Sequence, residues 1–204
     1  LDPIESPKMK NSPLIDYPAV YADMVAQALK NMAAVRVAFT GKSMTPALRE
    51  GMQILVEKAP SEKIRLADII MYRKATGAVV HRVVGIIRRE SGRVFVTKGD
   101  NHAYVESDRI PDCDLVGRVG AAYFEREPDI DVLVRSRAVG ASYVVLANLA
   151  SGVMCLRKFI PAPVRNVLKY FAGAFFFMFK NFIHAVYLGI YHVQLPGRRR
   201  AGAF

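Results

Sequence analysis

Cysteine is scarce in this sequence, and the two that occur, Cys113 and Cys155, stand 42 residues apart. Neither belongs to a close-spaced set, so no disulfide framework and no zinc site is indicated. The four histidines, His81, His102, His184 and His192, also lack a metal-ligand spacing. His184 and His192 lie eight apart on an expected helix, where an aromatic-rich packing face accounts for them. Uninterrupted apolar runs of the roughly twenty residues that cross a bilayer are missing too. Residues 141–156 carry no charge across their sixteen positions but fall short of that length, and 170–193 is broken by Lys180, Asn181 and His184. The start, LDPIESPKMKNSP, shows no positive segment followed by an apolar core, so no signal peptide is expected there.

Acidic residues are in deficit, 18 against 29 Lys and Arg, which leaves a formal charge of +11. A basic balance suits either nucleic acid or an anionic membrane surface, because both present dense negative charge. The sequence has no zinc-finger spacing, no glycine–aromatic single-strand signature and no unbroken basic helix, so a nucleic-acid partner is not expected. The composition is instead 52% hydrophobic, which sets apolar surface beside a basic rim.

At 204 residues the chain is long enough for one main domain with an appendage. Residues 1–15, rich in Pro, Ser and Lys, read as a loose tail. Residues 16–33 predict an amphipathic helix, with Pro18 in its first turn and Val20, Met24, Ala28 and Met32 recurring every four positions. Six Val/Ile-rich segments come next, at 34–39, 52–58, 67–73, 78–87, 93–99 and 114–124, most of them separated by turns such as KAPSEK, KATG and RRESG. Connections this short leave no room for crossover helices, which predicts antiparallel pairing in a small β-rich domain over 34–125. Residues 126–204 form an apolar C-terminal helical extension flanked by Arg157, Lys158, Arg165, Lys169 and Arg198 to Arg200. Two readings fit it: an interfacial helix pair with its cations at the headgroup level, or a helical subdomain packed on itself or on the β domain.

Chemistry concentrates in three stretches. In GKSMTPAL, Gly41 and Pro46 fix the backbone around Ser43, so that the hydroxyl and its own N–H can point into one cleft. A serine hydroxyl needs a base, and VVHRVV sets His81 mid-strand, on the face of Val79 and Val83. The run FVTKGDNHAYVESD ends a strand in a turn with acidic groups, and either Asp100 or Asp108 could orient the His81 ring. Each stretch also has an ordinary reading: a turn serine, a strand histidine held by a backbone carbonyl, and a Gly-Asp-Asn loop.

In this order the stretches resemble the signal peptidase I family in the broad sense that includes the self-cleaving SOS-type repressors. The resemblance covers residues 36–120, through GKSMTPALREG, LADIIMY, VVHRVVG, TKGDN and LVGRVG. Common bacterial members and the repressors use lysine where this chain has His81; the endoplasmic-reticulum, archaeal and some Gram-positive signal peptidases use histidine. The resemblance therefore implies a Ser–His peptidase with Ser43 as nucleophile and His81 as general base. It makes Asp108 the first choice for the assisting acid, Asp100 a structural or supporting group, and Glu106 a lesser substitute. Met52 and Ala67 depart from the family's usual Asp and Gly, and both departures fall on scaffold turns. Most members also carry an N-terminal transmembrane anchor, and the resemblance offers no account of the apolar C-terminal extension. The implied activity is that of an endopeptidase cleaving an extended peptide or preprotein after small residues, without metal or organic cofactor, in association with a membrane. The rival readings are a self-cleaving regulator and a non-catalytic membrane-associated scaffold.

Overall fold

A computed structural model of the chain describes residues 17–75, 77–102, 108–123 and 137–156, and single positions or short pieces at 161, 164, 170–171, 173–179, 181–182 and 185. The expected tail at 1–15, Glu106, Lys180, His184, His192 and the flanking cations from Arg157 onward lie outside the described residues.

The first element is a helix, α1 (Tyr17–Asn31). It buries Ala22, Val25 and Leu29 and leaves Val20, Met24 and Met32 exposed, so the face expected from the four-residue repeat is not the one that packs. The reason is angular. A strict repeat of four advances about 40° past a full turn at each step and winds off the core, whereas the three-then-four spacing of 22, 25 and 29 stays on one stripe.

Seven strands come after it: β1 (Ala34–Ala38), β2 (Gln53–Glu57), β3 (Ile69–Lys74), β4 (Gly77–Arg89), β5 (Gly92–Lys98), β6 (Asp108–Pro111) and β7 (Leu115–Tyr123). They form a single sheet in the order β1-β2-β7-β3-β4-β5-β6, and each neighbouring pair is antiparallel. This is the mainly β architecture expected of the sequence, with one strand more. β6 escapes a periodicity reading because DRIP has four residues and ends in a proline, which is tolerated where β6 closes the sheet as an edge strand. β3 begins two residues later than expected, because Ala67 turns the chain with φ 76, in the region where the resemblance expects glycine.

Two apolar clusters lie on the sheet. The larger joins Ala22, Val25 and Leu29 of α1 to Met44, Leu48, Met52, Met71, Val80 and Val119. Met52, the departure from the family pattern, is fully buried there. The smaller comprises Ile64, Ile70, Tyr72, Val83, Phe95 and Ile110.

A second helix, α2 (Arg137–Leu156), buries Val139, Tyr143, Leu146 and Ala147 and exposes Val145 and Leu149. Its packed side lies against β4, where the Tyr143 ring sits 5.2 Å from the Arg82 guanidinium. Residues 137–156 thus dock on the β domain through one face. Among the described residues, no helix is long and apolar enough to cross a membrane. Residues 173–179 are helical; Phe176 is buried over the Lys98 ammonium at 4.5 Å, while Phe175, Phe177 and Met178 are exposed.

Candidate active site

Hairpin register builds the site. With Lys74 paired to Gly77, the two-residue turn sets Tyr72 opposite Val79 and Ile70 opposite His81. Side chains alternate in period two, so Ile70, Tyr72 and Lys74 of β3 share a face with Val79, His81 and Val83 of β4. Val83 pairs with Thr97, and Thr97 with Asp108, which carries that face across β5 to β6. One side of four strands therefore gathers Lys74, Tyr72, His81, Thr97 and Asp108 at the margin of the smaller core.

Ser43 comes from the loop between β1 and β2, where the Thr45–Pro46 peptide bond is cis. Its Oγ lies 3.1 Å from His81 Nε2. The loop is clamped by the turn after β5: the Asn101 N–H donates to the Ser43 carbonyl at 2.8 Å, and the Asn101 side-chain amide donates to the Lys42 carbonyl at 3.3 Å. Gly99 permits this approach, because a Cβ there would fall 2.6 Å from the Ser43 carbonyl oxygen. The TKGDN stretch, selected in the sequence for its carboxylate, thus positions the serine through backbone and amide groups.

The two candidate aspartates occupy different environments. The Asp100 carboxylate accepts two bonds from Arg82, at 2.9 and 2.7 Å, with both side chains buried. Arg82 alternates with His81 and projects to the other face, beneath Tyr143, so Asp100 is engaged on that side. Asp108 does not reach the imidazole directly; it accepts from the Tyr72 hydroxyl at 2.9 Å and from Lys74 Nζ at 2.7 Å. Between carboxylate and imidazole stands Tyr72, whose oxygen is 3.1 Å from His81 Nδ1 and accepts from Thr97 Oγ1 at 3.2 Å. Sequence reasoning missed Tyr72, although the KATG turn length and strand alternation together put it on His81's face.

Electrostatics follow burial. Desolvation, with His102 at a ring-centroid separation of 5.7 Å adding like-charge pressure, lowers the His81 pKa to about 4, against an upward pull from Asp108 and Asp100. His81 is therefore a neutral hydrogen-bond acceptor at neutral pH. Burial pushes the Asp108 carboxyl up, but hydrogen bonds from Lys74 and Tyr72 outweigh it and hold the group below its ordinary value. Tyr72 is displaced upward, chiefly by burial, and stays protonated.

Beside Ser43 opens a groove of about 460 Å³, lined by Val37, Phe39, Ile54, Met71 and Val80, with Tyr21 of α1 at its wall. β1 flanks it as an edge strand, paired among the described residues with β2 alone. Among the described residues no cluster of His, Cys, Asp and Glu could hold a metal ion.

A hydroxyl within hydrogen-bond distance of an imidazole nitrogen, beside an apolar groove and an edge strand, is an arrangement suited to attack on an extended peptide. Part of the chain is similar to a signal peptidase. Over 72 residues it is 36% identical to Signal peptidase I W of Bacillus subtilis (strain 168), a stretch amounting to 34% of this chain. The match spans 38% of that protein's length. No protein-family profile matches the chain. This partial similarity supports the signal peptidase I family at most and suggests a signal-peptidase-type protease.

Proposed function

We propose that this chain is a serine endopeptidase of signal-peptidase type, with Ser43 as nucleophile and His81 as general base, acting on an extended peptide or preprotein segment at a membrane surface. The observation that carries the reading is the 3.1 Å approach of Ser43 Oγ to His81 Nε2, made by residues 38 apart in the chain. The substrate adds as a strand to the free edge of β1, which satisfies its backbone groups and sets small side chains in the groove. His81 Nε2 removes the hydroxyl proton as Ser43 Oγ bonds to the scissile carbonyl carbon. Among the described residues nothing accepts from the Ser43 N–H, which can donate to the developing oxyanion. Collapse breaks the C–N bond, and the imidazolium returns the proton to the leaving amine. Water, deprotonated by the same nitrogen, then releases the acyl group from Ser43.

The test is cleavage of an internally quenched peptide carrying Ala-X-Ala before the scissile bond, in detergent micelles. Wild type cleaves it, and Ser43→Ala lowers kcat by about 10⁴-fold or more while the circular dichroism spectrum stays native. Substantial cleavage by purified Ser43→Ala protein refutes the assignment.

The membrane part rests on apolar exposure and charge. Tyr170, Phe171, Phe175, Phe177 and Phe182 are exposed at 170–182, Val20 and Met24 are exposed on α1, and the net charge is +11. The chain is expected to cosediment with vesicles containing anionic lipid and to remain bound at high salt, since buried aromatic area is not screened. Release by salt assigns the contact to surface charge alone, and no binding at low salt removes the membrane from the proposal.

A further inference from the structure

The imidazole and the carboxylate in this site do not touch; a tyrosine stands between them, and its hydrogen bonds can be assigned by counting protons. Lys74 Nζ at 2.7 Å and the Tyr72 hydroxyl at 2.9 Å both reach Asp108, one to each oxygen. Beside the ammonium the carboxyl is ionised, and a carboxylate only accepts. Tyr72 has one proton, and that proton is committed to Asp108 Oδ2. The phenol oxygen is left with acceptor capacity, part of which Thr97 Oγ1 uses at 3.2 Å. The remaining neighbour is His81 Nδ1 at 3.1 Å, and for that contact to be a hydrogen bond the nitrogen must carry the proton. A neutral imidazole with its proton on Nδ1 has a bare Nε2, and Nε2 is the atom facing Ser43 Oγ.

We propose that Tyr72 is a positioning residue that relays Asp108 to His81: the carboxylate sets the direction of the phenol proton, and the phenol oxygen sets the tautomer and tilt of the imidazole. The inference rests on the Ser43–His81 reading for its catalytic consequence, though not for the tautomer itself. No proton passes along the chain. When Nε2 takes the Ser43 proton, Nδ1 keeps its own, Tyr72 keeps its own and Asp108 remains a carboxylate. The O–H dipole pointed at Asp108 makes the phenol oxygen a stronger acceptor, which steadies the imidazolium from one residue away. Tyr72 is fully buried and belongs with Ile70, Val83 and Phe95 to the smaller core, so the relay is held by packing.

The experiment uses the full chain with ¹⁵N-labelled histidine. Wild type at neutral pH is expected to show His81 protonated on Nδ1 and bare on Nε2. Tyr72→Phe, which deletes only the hydroxyl, moves the ring toward the Nε2–H form. Asp108→Asn does the same from a distance: its amide now donates to the phenol oxygen, and the phenol proton turns to Nδ1. With the Ala-X-Ala peptide, each change lowers kcat by about 10²-fold with KM little altered, and the two together cost no more than either alone. A wild-type ring protonated on Nε2 overturns the relay whatever the peptide assay shows. So do a Tyr72→Phe variant within threefold of wild-type kcat and an Asp108→Asn loss that is undiminished in the Tyr72→Phe background. If Tyr72→Phe does not fold, Asp108→Asn carries the same tautomer test. Equal cleavage by wild type and Ser43→Ala would instead strike the peptidase reading and leave the tautomer result standing.

Discussion

Asp100→Ala is expected to unfold at a urea concentration far below that of wild type, with a loss of about 3–5 kcal/mol. Removal of the carboxylate strands the Arg82 guanidinium, which is wholly buried and whose remaining hydrogen bond among the described residues is to the Ala67 carbonyl at 2.9 Å. Burial opposes the charge on Arg82, but Asp100 beside it more than compensates and raises its pKa. Arginine does not lose its proton at any ordinary pH, so the variant must hydrate the charge by opening the structure. The opening should appear at α2, because Tyr143 covers Arg82 and a Cβ at Gly140 would meet Ala67 at 2.6 Å, a measure of how closely that helix lies on the turn. A loss of about 3–5 kcal/mol is a large part of the roughly 5–15 kcal/mol typical of a domain. Replacing both partners, Arg82→Met with Asp100→Leu, should recover most of it. Equilibrium unfolding in urea with hydrogen exchange on 137–156 checks both expectations; a loss below about 1 kcal/mol for Asp100→Ala would show that the pair contributes little. Measured where the variant is folded, its kcat should change much less than that of Tyr72→Phe, since Asp100 makes no bond to the imidazole.

A second large effect is expected in the acid limb of the pH profile. The proposed general base, His81, works only when neutral, and burial holds its pKa at about 4. A histidine of ordinary pKa would be neutral in only about 3% of molecules at pH 5, whereas one at about 4 is neutral in about 90%, so kcat/KM at pH 5 should be about 30-fold higher than an exposed histidine allows. The sign for stability is the same. The folded pKa lies below the unfolded value of 6.5, so between about 4 and 6.5 the unfolded chain binds more protons, and His81's contribution to stability is lost as pH falls through that window. A profile of kcat/KM between pH 3.5 and 8 with its midpoint at 6 or above would contradict the buried, neutral base.

Several features of this chain were legible because they depend on local pattern. Short connections dictated antiparallel strands, and alternation within VVHRVV set His81 on the face of Val79 and Val83. GKSMTPAL marked Ser43 through its flanking Gly41 and Pro46. Where the sequence misled, two local patterns competed. Val20, Met24 and Met32 offered a stripe on α1, yet Ala22, Val25 and Leu29 pack, because the sheet accepts the smaller and straighter face. Strand β6 stayed hidden because four residues ending in proline carry almost no periodic signal.

By itself the sequence determined the β-rich class and singled out the GKSMTPAL and VVHRVV stretches that carry Ser43 and His81, since each follows from residue type and local pattern. Only the tertiary structure decided which acid serves which partner. Asp100 and Asp108 are equally good turn carboxylates in one dimension; pairing of β5 with β6 brings Asp108 to the Tyr72 face, while burial beneath α2 commits Asp100 to Arg82. Strand register acts over distances that sequence proximity does not encode, and it alone interposes a tyrosine between His81 and its carboxylate.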